Sequence, residues 1–199
     1  MPGLTTQPVV PIEEWLTESV RTTVFPASGV VLAPDTWWRG VLGGDPETRT
    51  VKPALREHRD EGAFGDGKLV LSVNPLGVVQ WQLGAPDVTV LPEGLPAAGP
   101  FVRRTAEFLD LMDRWIPMCP ASNRVAYGAV ALLPVGGHRE GYERLGSLLR
   151  TVKVDSISTA MGSSVYRTSR LSFSVMLLIQ TVRRTTLREF ARRMDESWD

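Results

Sequence analysis

Cysteine is almost missing from this chain of 199 residues: there is one thiol, Cys119 in "IPMCPAS". A lone cysteine excludes an internal disulfide framework and any multi-cysteine metal site, and it fits a reducing cytoplasm. Histidine is nearly as scarce, with only His58 and His138. A metal site needs three or four ligands, for which His58 and His138 could meet in the fold with Glu57 or Asp60 nearby. Net charge is absent too, because 22 basic residues cancel 22 acidic ones; overall charge therefore predicts no polyanionic partner. No apolar run reaches the roughly 20 residues of a membrane helix. The N-terminus "MPGLTTQPVVPIEEW" lacks the basic and apolar regions of a signal peptide and reads as a short flexible tail over residues 1–10.

What is present is the composition of a globular protein. The chain is 43% hydrophobic and 22% charged, enough to build a core and too apolar to stay disordered along its length. Arginine far outnumbers lysine, which points to a GC-rich bacterial genome. Charge is unevenly spread. Residues 1–100 carry 7 basic and 12 acidic side chains, a balance of −5, and residues 101–199 carry 15 and 10, a balance of +5. Two halves that attract each other within one fold explain this most simply; an acidic docking face with a basic nucleic-acid face is the sharper alternative.

Periodicity gives an α+β fold class: a mostly antiparallel sheet with amphipathic helices packed on it, as a single compact domain or two closely joined halves. In "PIEEWLTESV", Ile12, Trp15, Leu16, Ser19 and Val20 fall on one helical face behind Pro11, and strands are expected through "RTTVF" and "GVVLA". A short helix should begin near Pro34 and stop at Gly43–Gly44. "TRTVKPALREHR" suggests an edge strand broken at Pro53. In "KLVLSVNPLGVVQWQL" two β-rich runs flank Asn74-Pro75-Leu76-Gly77, a turn signature.

The segment 84–100, with Pro86, Pro92, Pro96 and Pro100, reads as a stiff linker. It divides an α+β subregion with a hairpin, 11–83, from an α+β subregion over 101–199. After it, "FVRRTAEFLDLMDRWI" is the strongest helix, with Phe101, Thr105, Phe108, Leu109, Met112, Trp115 and Ile116 on one stripe. "NRVAYGAVALL" has the two-sided apolar character of a central strand. A second amphipathic helix is expected over "HREGYERLGSLLRTV". A late strand should alternate Leu171, Phe173, Val175, Leu177 and Ile179 against more polar neighbours, followed by a terminal helix whose five arginines face four acids.

Chemical motifs are incomplete. "GAFGDGKL" has the spacing of a phosphate loop, but Leu69 stands where the magnesium-binding hydroxyl belongs and a strand follows, so a hairpin loop is the better reading. "REHRDEG" could supply a general base or one metal ligand at His58, and a solvated charged turn is the plainer alternative. Cys119 has no adjacent charge to activate it, and a Cys119–His138 dyad is unsupported. "AMGSSVYRTSR" resembles an anion nest, and a polar loop explains it equally. No cofactor loop or metal set is complete, so none is assigned.

The run "FVRRTAEFLDLMDRWI", then "NRVAYGAVALL", then a late long strand resembles a sporadically distributed family of uncharacterised bacterial α+β proteins. The matching residues are Phe108 and Trp115 on the helix and Arg124, Tyr127 and Gly128 on the strand, within the second half only. The chain departs from that pattern where "AYGAVALLP" replaces an Arg-Tyr-Asn-like strand ending, and it has no terminal Asp-rich motif. The resemblance implies a bacterial accessory protein and transfers no catalytic residue.

Three functional readings follow. The first is a non-enzymatic interaction subunit or adaptor of a larger cytoplasmic bacterial assembly. Its protein partner would meet Trp37 and Trp38, adjacent on a short helix where both cannot point fully inward. The second is a nucleic-acid-associated accessory protein using Arg103, Arg104, Arg167, Arg170, Arg183 and Arg184. The third is a small hydrolase or transferase using His58 or His138. None involves a membrane.

Overall fold

The computed structural model describes residues 11–87, 96–135, 140–141 and 170–177. Pro11 opens one 3-10 turn, Ile12–Glu14, and the chain then enters β1, Leu16–Pro26. This corrects the helix expected over residues 11–20. Leu16 and Val20 are four apart, a spacing that period two satisfies as well as period 3.6. The β-branched Thr17, Val20, Thr22, Thr23 and Val24 decide for the strand. The order continues with α1 (Pro34–Leu42), β2 (Thr48–Lys52), β3 (Glu57–Phe64), β4 (Gly67–Val73), β5 (Val79–Gly84), α2 (Phe101–Trp115), β6 (Ser122–Pro134) and β7 (Arg170–Leu177).

These strands form one antiparallel sheet in the order β2-β3-β4-β5-β1-β6-β7, so the fold is α+β. Strands from both sides of the segment 84–100 share it. That segment's last residues are pinned to β1: Ala98 N–H donates to Thr17 O (2.7 Å), and Thr17 N–H donates to Gly99 O (2.8 Å). The expected strand through "GVVLA" is irregular chain instead. Gly29, at φ +79°, turns it away from the sheet, where β1 already has β5 and β6 as neighbours. "REHRDEG" is also corrected: from Glu57 onward its residues form β3, a strand, in place of a charged turn, and Arg56 caps the 3-10 turn before it.

Register lays side chains in rows across the sheet. One row on the helix-covered face reads Val51, His58, Val73, Val79, Val24 and Val125. The next reads Arg49, Asp60, Leu71, Trp81, Thr22 and Tyr127, and a third Gly62, Leu69, Leu83, Val20 and Ala129. The opposite face carries Arg21, Thr23, Gln80, Gln82, Ser72 and Lys68. There Lys68, and then Arg59, hold the Glu61 carboxyl below the usual carboxylate range. In β7, Leu171, Phe173, Val175 and Leu177 pair with Leu133, Ala131, Ala129 and Tyr127. The helix expected from 138 onward lies almost wholly outside the described residues, as does the terminal helix.

Both helices lie on the face of the valine and tryptophan rows. Trp37 meets Trp115 edge-on at 5.7 Å, Trp115 meets Trp81 at 6.0 Å, and Trp38 stacks on Trp81 at 5.9 Å. Gly62 makes room for this, since a Cβ there would stand 3.0 Å from Trp38 Cζ2. Phe108, Leu111 and Met112 fill the rest of the α2 contact.

At one end of the sheet α2 is tied down by Arg104, 1% exposed. Its Nε donates to Ala98 O (2.6 Å), Nη2 to Asp66 Oδ2 (2.6 Å) and Nη1 to Glu107 Oε2 (2.5 Å). Gly65 and Gly99 leave the space, because a Cβ at either would come within 2.5 and 3.0 Å of the guanidinium. Replacing Arg104 with Ala should cost about 3 kcal/mol in urea unfolding, the lower end for a broken buried pair because both carboxylates can regain water. Arg103→Ala, on an exposed neighbour, should change stability by less than about 0.5 kcal/mol.

Burial raises Tyr127 to about 12, with Thr105 at its hydroxyl opposing the shift. A folded pKa above the unfolded value of about 10 makes stability fully present below pH 10 and lost as pH rises towards 12, by about 2–3 kcal/mol. Tyr127→Phe should flatten that part of the alkaline unfolding curve measured by circular dichroism.

Candidate functional site

The opposite end of the sheet is open. β1 ends at Pro26, β4 at Val73 and β2 at Lys52, while β3 begins at Glu57 and α1 at Pro34. Between these ends lies a cleft of about 740 Å³. The 27–32 loop forms one lip and the Asn74–Gly77 turn the other. The turn is held by Asn74: its Oδ1 accepts from Leu76 N–H and Val78 N–H, both at 3.0 Å, and its carbonyl accepts from Gly77 N–H at 2.8 Å.

The lips hold their apolar side chains outward. Val31 is 91% exposed and Leu76 87%. Val51 in the cleft wall is exposed as well, and so is Leu55, on the 3-10 turn Pro53–Leu55 between β2 and β3. Among the described residues the only other large exposed apolar side chain is Val102.

His58 sits in the cleft wall, buried within the valine row. Its Nδ1 lies 3.4 Å from Asp35 Oδ1, and its Nε2 lies 3.0 Å from Asp60 Oδ2, off the hydrogen-bonding direction. Asp60 is fully buried and receives a two-pronged contact from Arg49, Nε to Oδ1 at 2.8 Å and Nη2 to Oδ2 at 2.9 Å. That hydrogen bond raises the Arg49 pKa further above its ordinary value. Both ring nitrogens of His58 therefore lie close to carboxylates. Among the described residues no three His, Cys, Asp or Glu side chains are grouped to hold a metal ion.

Arg56 also lines the cleft. It caps the 3-10 turn at φ +54° and ψ +32°, the left-handed region, which costs a non-glycine residue about 1 kcal/mol. Every other positive-φ residue among those described is glycine.

Other expected site residues fall elsewhere. Trp37 and Trp38, 4% and 3% exposed, are both core residues, so neither is an exposed anchor. Two adjacent helical residues are buried together because α1 lies in the angle between α2 and the sheet: Trp37 turns to Trp115 and Trp38 to Trp81. Arg103 is exposed and paired with Asp66 (3.1 Å) and Glu107 (3.3 Å). Arg104 is buried with every donor arm engaged, a position that presents no guanidinium to a phosphate. Arg170 begins β7, while Arg167, Arg183, Arg184 and His138 lie outside the described residues. Cys119 is half-buried after α2, its Sγ 3.6 Å from Pro120 O.

No protein-family model, curated protein or solved structure matches this chain. The residues that carry the family resemblance have places in the fold: Phe108, Trp115 and Tyr127 are buried, and the Arg124 guanidinium lies 4.0 Å above the Phe25 ring. Among the described residues no helix is long and apolar enough to cross a membrane.

The polar inset beneath the cleft and the cleft mouth should respond differently to mutation. Asp60→Asn should cost about 2–3 kcal/mol in thermal unfolding, since a buried partner of Arg49 loses its charge. Asp35→Asn, on a side chain 70% exposed, should shift stability by less than about 0.5 kcal/mol.

Proposed function

We propose that this chain is a non-enzymatic interaction subunit or adaptor of a larger cytoplasmic bacterial assembly, and that the cleft at the open end of the sheet receives its protein partner. One distribution supports this. Of the five large apolar side chains exposed among the described residues, Val31, Val51 and Leu76 line the cleft and Leu55 sits on the turn beside it. Exposed apolar side chains scattered singly are ordinary, whereas a group of them around one concave surface marks a contact site. His58 does not favour the hydrolytic alternative, because both its nitrogens face carboxylates.

The surface thus moves from the Trp37–Trp38 pair to the cleft lips. A tagged full chain, incubated with nuclease-treated lysate of its source organism, should retain a stoichiometric protein partner identified by mass spectrometry. Val31→Ser and Leu76→Ser should each weaken that retention severalfold, leaving the unfolding midpoint unchanged because both side chains are exposed. Retention that is equal in both variants, or that disappears with nuclease, would remove the cleft from the interaction.

A further inference from the structure

The charge inventory of the cleft specifies more than "apolar". Glu57 Oε2 is paired with Lys52 Nζ at 3.0 Å, and Asp35 faces His58. Arg56 is exposed; its backbone N–H donates to Pro53 O (3.1 Å), but its guanidinium has no hydrogen-bond or ion-pair partner among the described residues. Its φ lies in the left-handed region that glycine holds freely, as Gly65 does at φ +57°. The turn itself therefore gives no reason for an arginine; the side chain does. A guanidinium beside exposed apolar residues matches a carboxylate in planar, two-pronged geometry, and covering the lips would strengthen that contact by excluding water. Among the charged side chains that line the cleft, Arg56 is the one whose head group has no partner among the described residues, and a carboxylate would give it one.

We infer that the cleft takes an extended segment of the partner in which an Asp or Glu side chain stands among apolar residues, its carboxylate on Arg56 and its apolar neighbours over Val31, Val51 and Leu76. This rests on the cleft being the partner surface. The probe is a library of random dodecapeptides fused through their C-termini to a display scaffold, so that side chains supply the only carboxylates. Peptides selected on the full chain are resynthesised as C-terminal amides and their affinities measured by calorimetry.

Selected peptides should combine an acidic residue with two or more apolar ones. Arg56→Gly should weaken them about tenfold or more, the scale of a charge-assisted hydrogen bond, with an unfolding midpoint unchanged or higher because the backbone strain is relieved. Equal binding to Arg56→Gly, selected peptides without acids, or selection only from a library with free C-termini would each overturn the inference. If no peptide binds while the lysate partner still depends on Val31 and Leu76, the partner docks as a folded surface: the inference fails and the proposed function stands. If neither experiment depends on the lips, both fail.

Discussion

Arg104 carries a full positive charge in the first turn of a helix and almost out of contact with water, two unfavourable positions at once. It is tolerated because three acceptors reach it from three places: Asp66 in the β3–β4 turn, the Ala98 carbonyl beside β1, and Glu107 one helical turn along. Each acceptor fixes one element relative to α2. The turn can approach only because Gly65 has no side chain, and the segment before α2 only because Gly99 has none. A second close contact supports the same corner: a Cβ on Gly67 would stand 2.8 Å from the Gly84 carbonyl. With its N-terminal end fixed there, α2 lies across the sheet so that Phe108 reaches Tyr127 and Trp115 reaches Trp81.

The position of α1 follows from that. Trp115 and Trp81 leave an angle into which Trp37 and Trp38 fit, and Gly62 lowers the sheet surface beneath Trp38. Once α1 is seated, the 27–33 connection must run from the end of β1 to the start of α1 at the end remote from Arg104. Pro26 and Pro34 bracket it and Gly29 bends it, so it stands off the sheet as a lip instead of joining it. The cleft is the space bounded by this connection and the Asn74–Gly77 turn. Beneath it the Arg49–Asp60–His58–Asp35 series of polar side chains keeps the valine row polar at one point.

Much of the fold was legible in the residues. Helix α2 announced itself by its stripe, the 67–84 hairpin by its turn, and α1 by Pro34 and Gly43. The first strand was obscured because its apolar spacing fits two periods, and only the density of β-branched residues separates them. The strand over residues 57–64 showed only its start, in the edge strand read through "TRTVKPALREHR", for a different reason. Its inward positions are His58, Asp60 and Gly62, so it has no apolar alternation to see; its core partners, Arg49 and Trp38, come from elsewhere in the chain. The cleft was illegible as a site for the same reason. Val31 and Leu76 are 45 residues apart and look like ordinary hydrophobic content until the fold leaves both uncovered.

The one local signal of the site is a residue out of place. A 3-10 turn that ends in the left-handed region calls for glycine, and here the sequence supplies arginine. Such a choice costs stability without adding a side-chain contact within the described fold, since the Arg56 guanidinium meets no acceptor there. Arg104 is the useful contrast: it too occupies a costly position, but three acceptors and two glycines account for it in full. An arginine whose cost is matched inside the fold is structural. One whose cost is not matched points outward, and the exposed apolar lips beside Arg56 mark the direction.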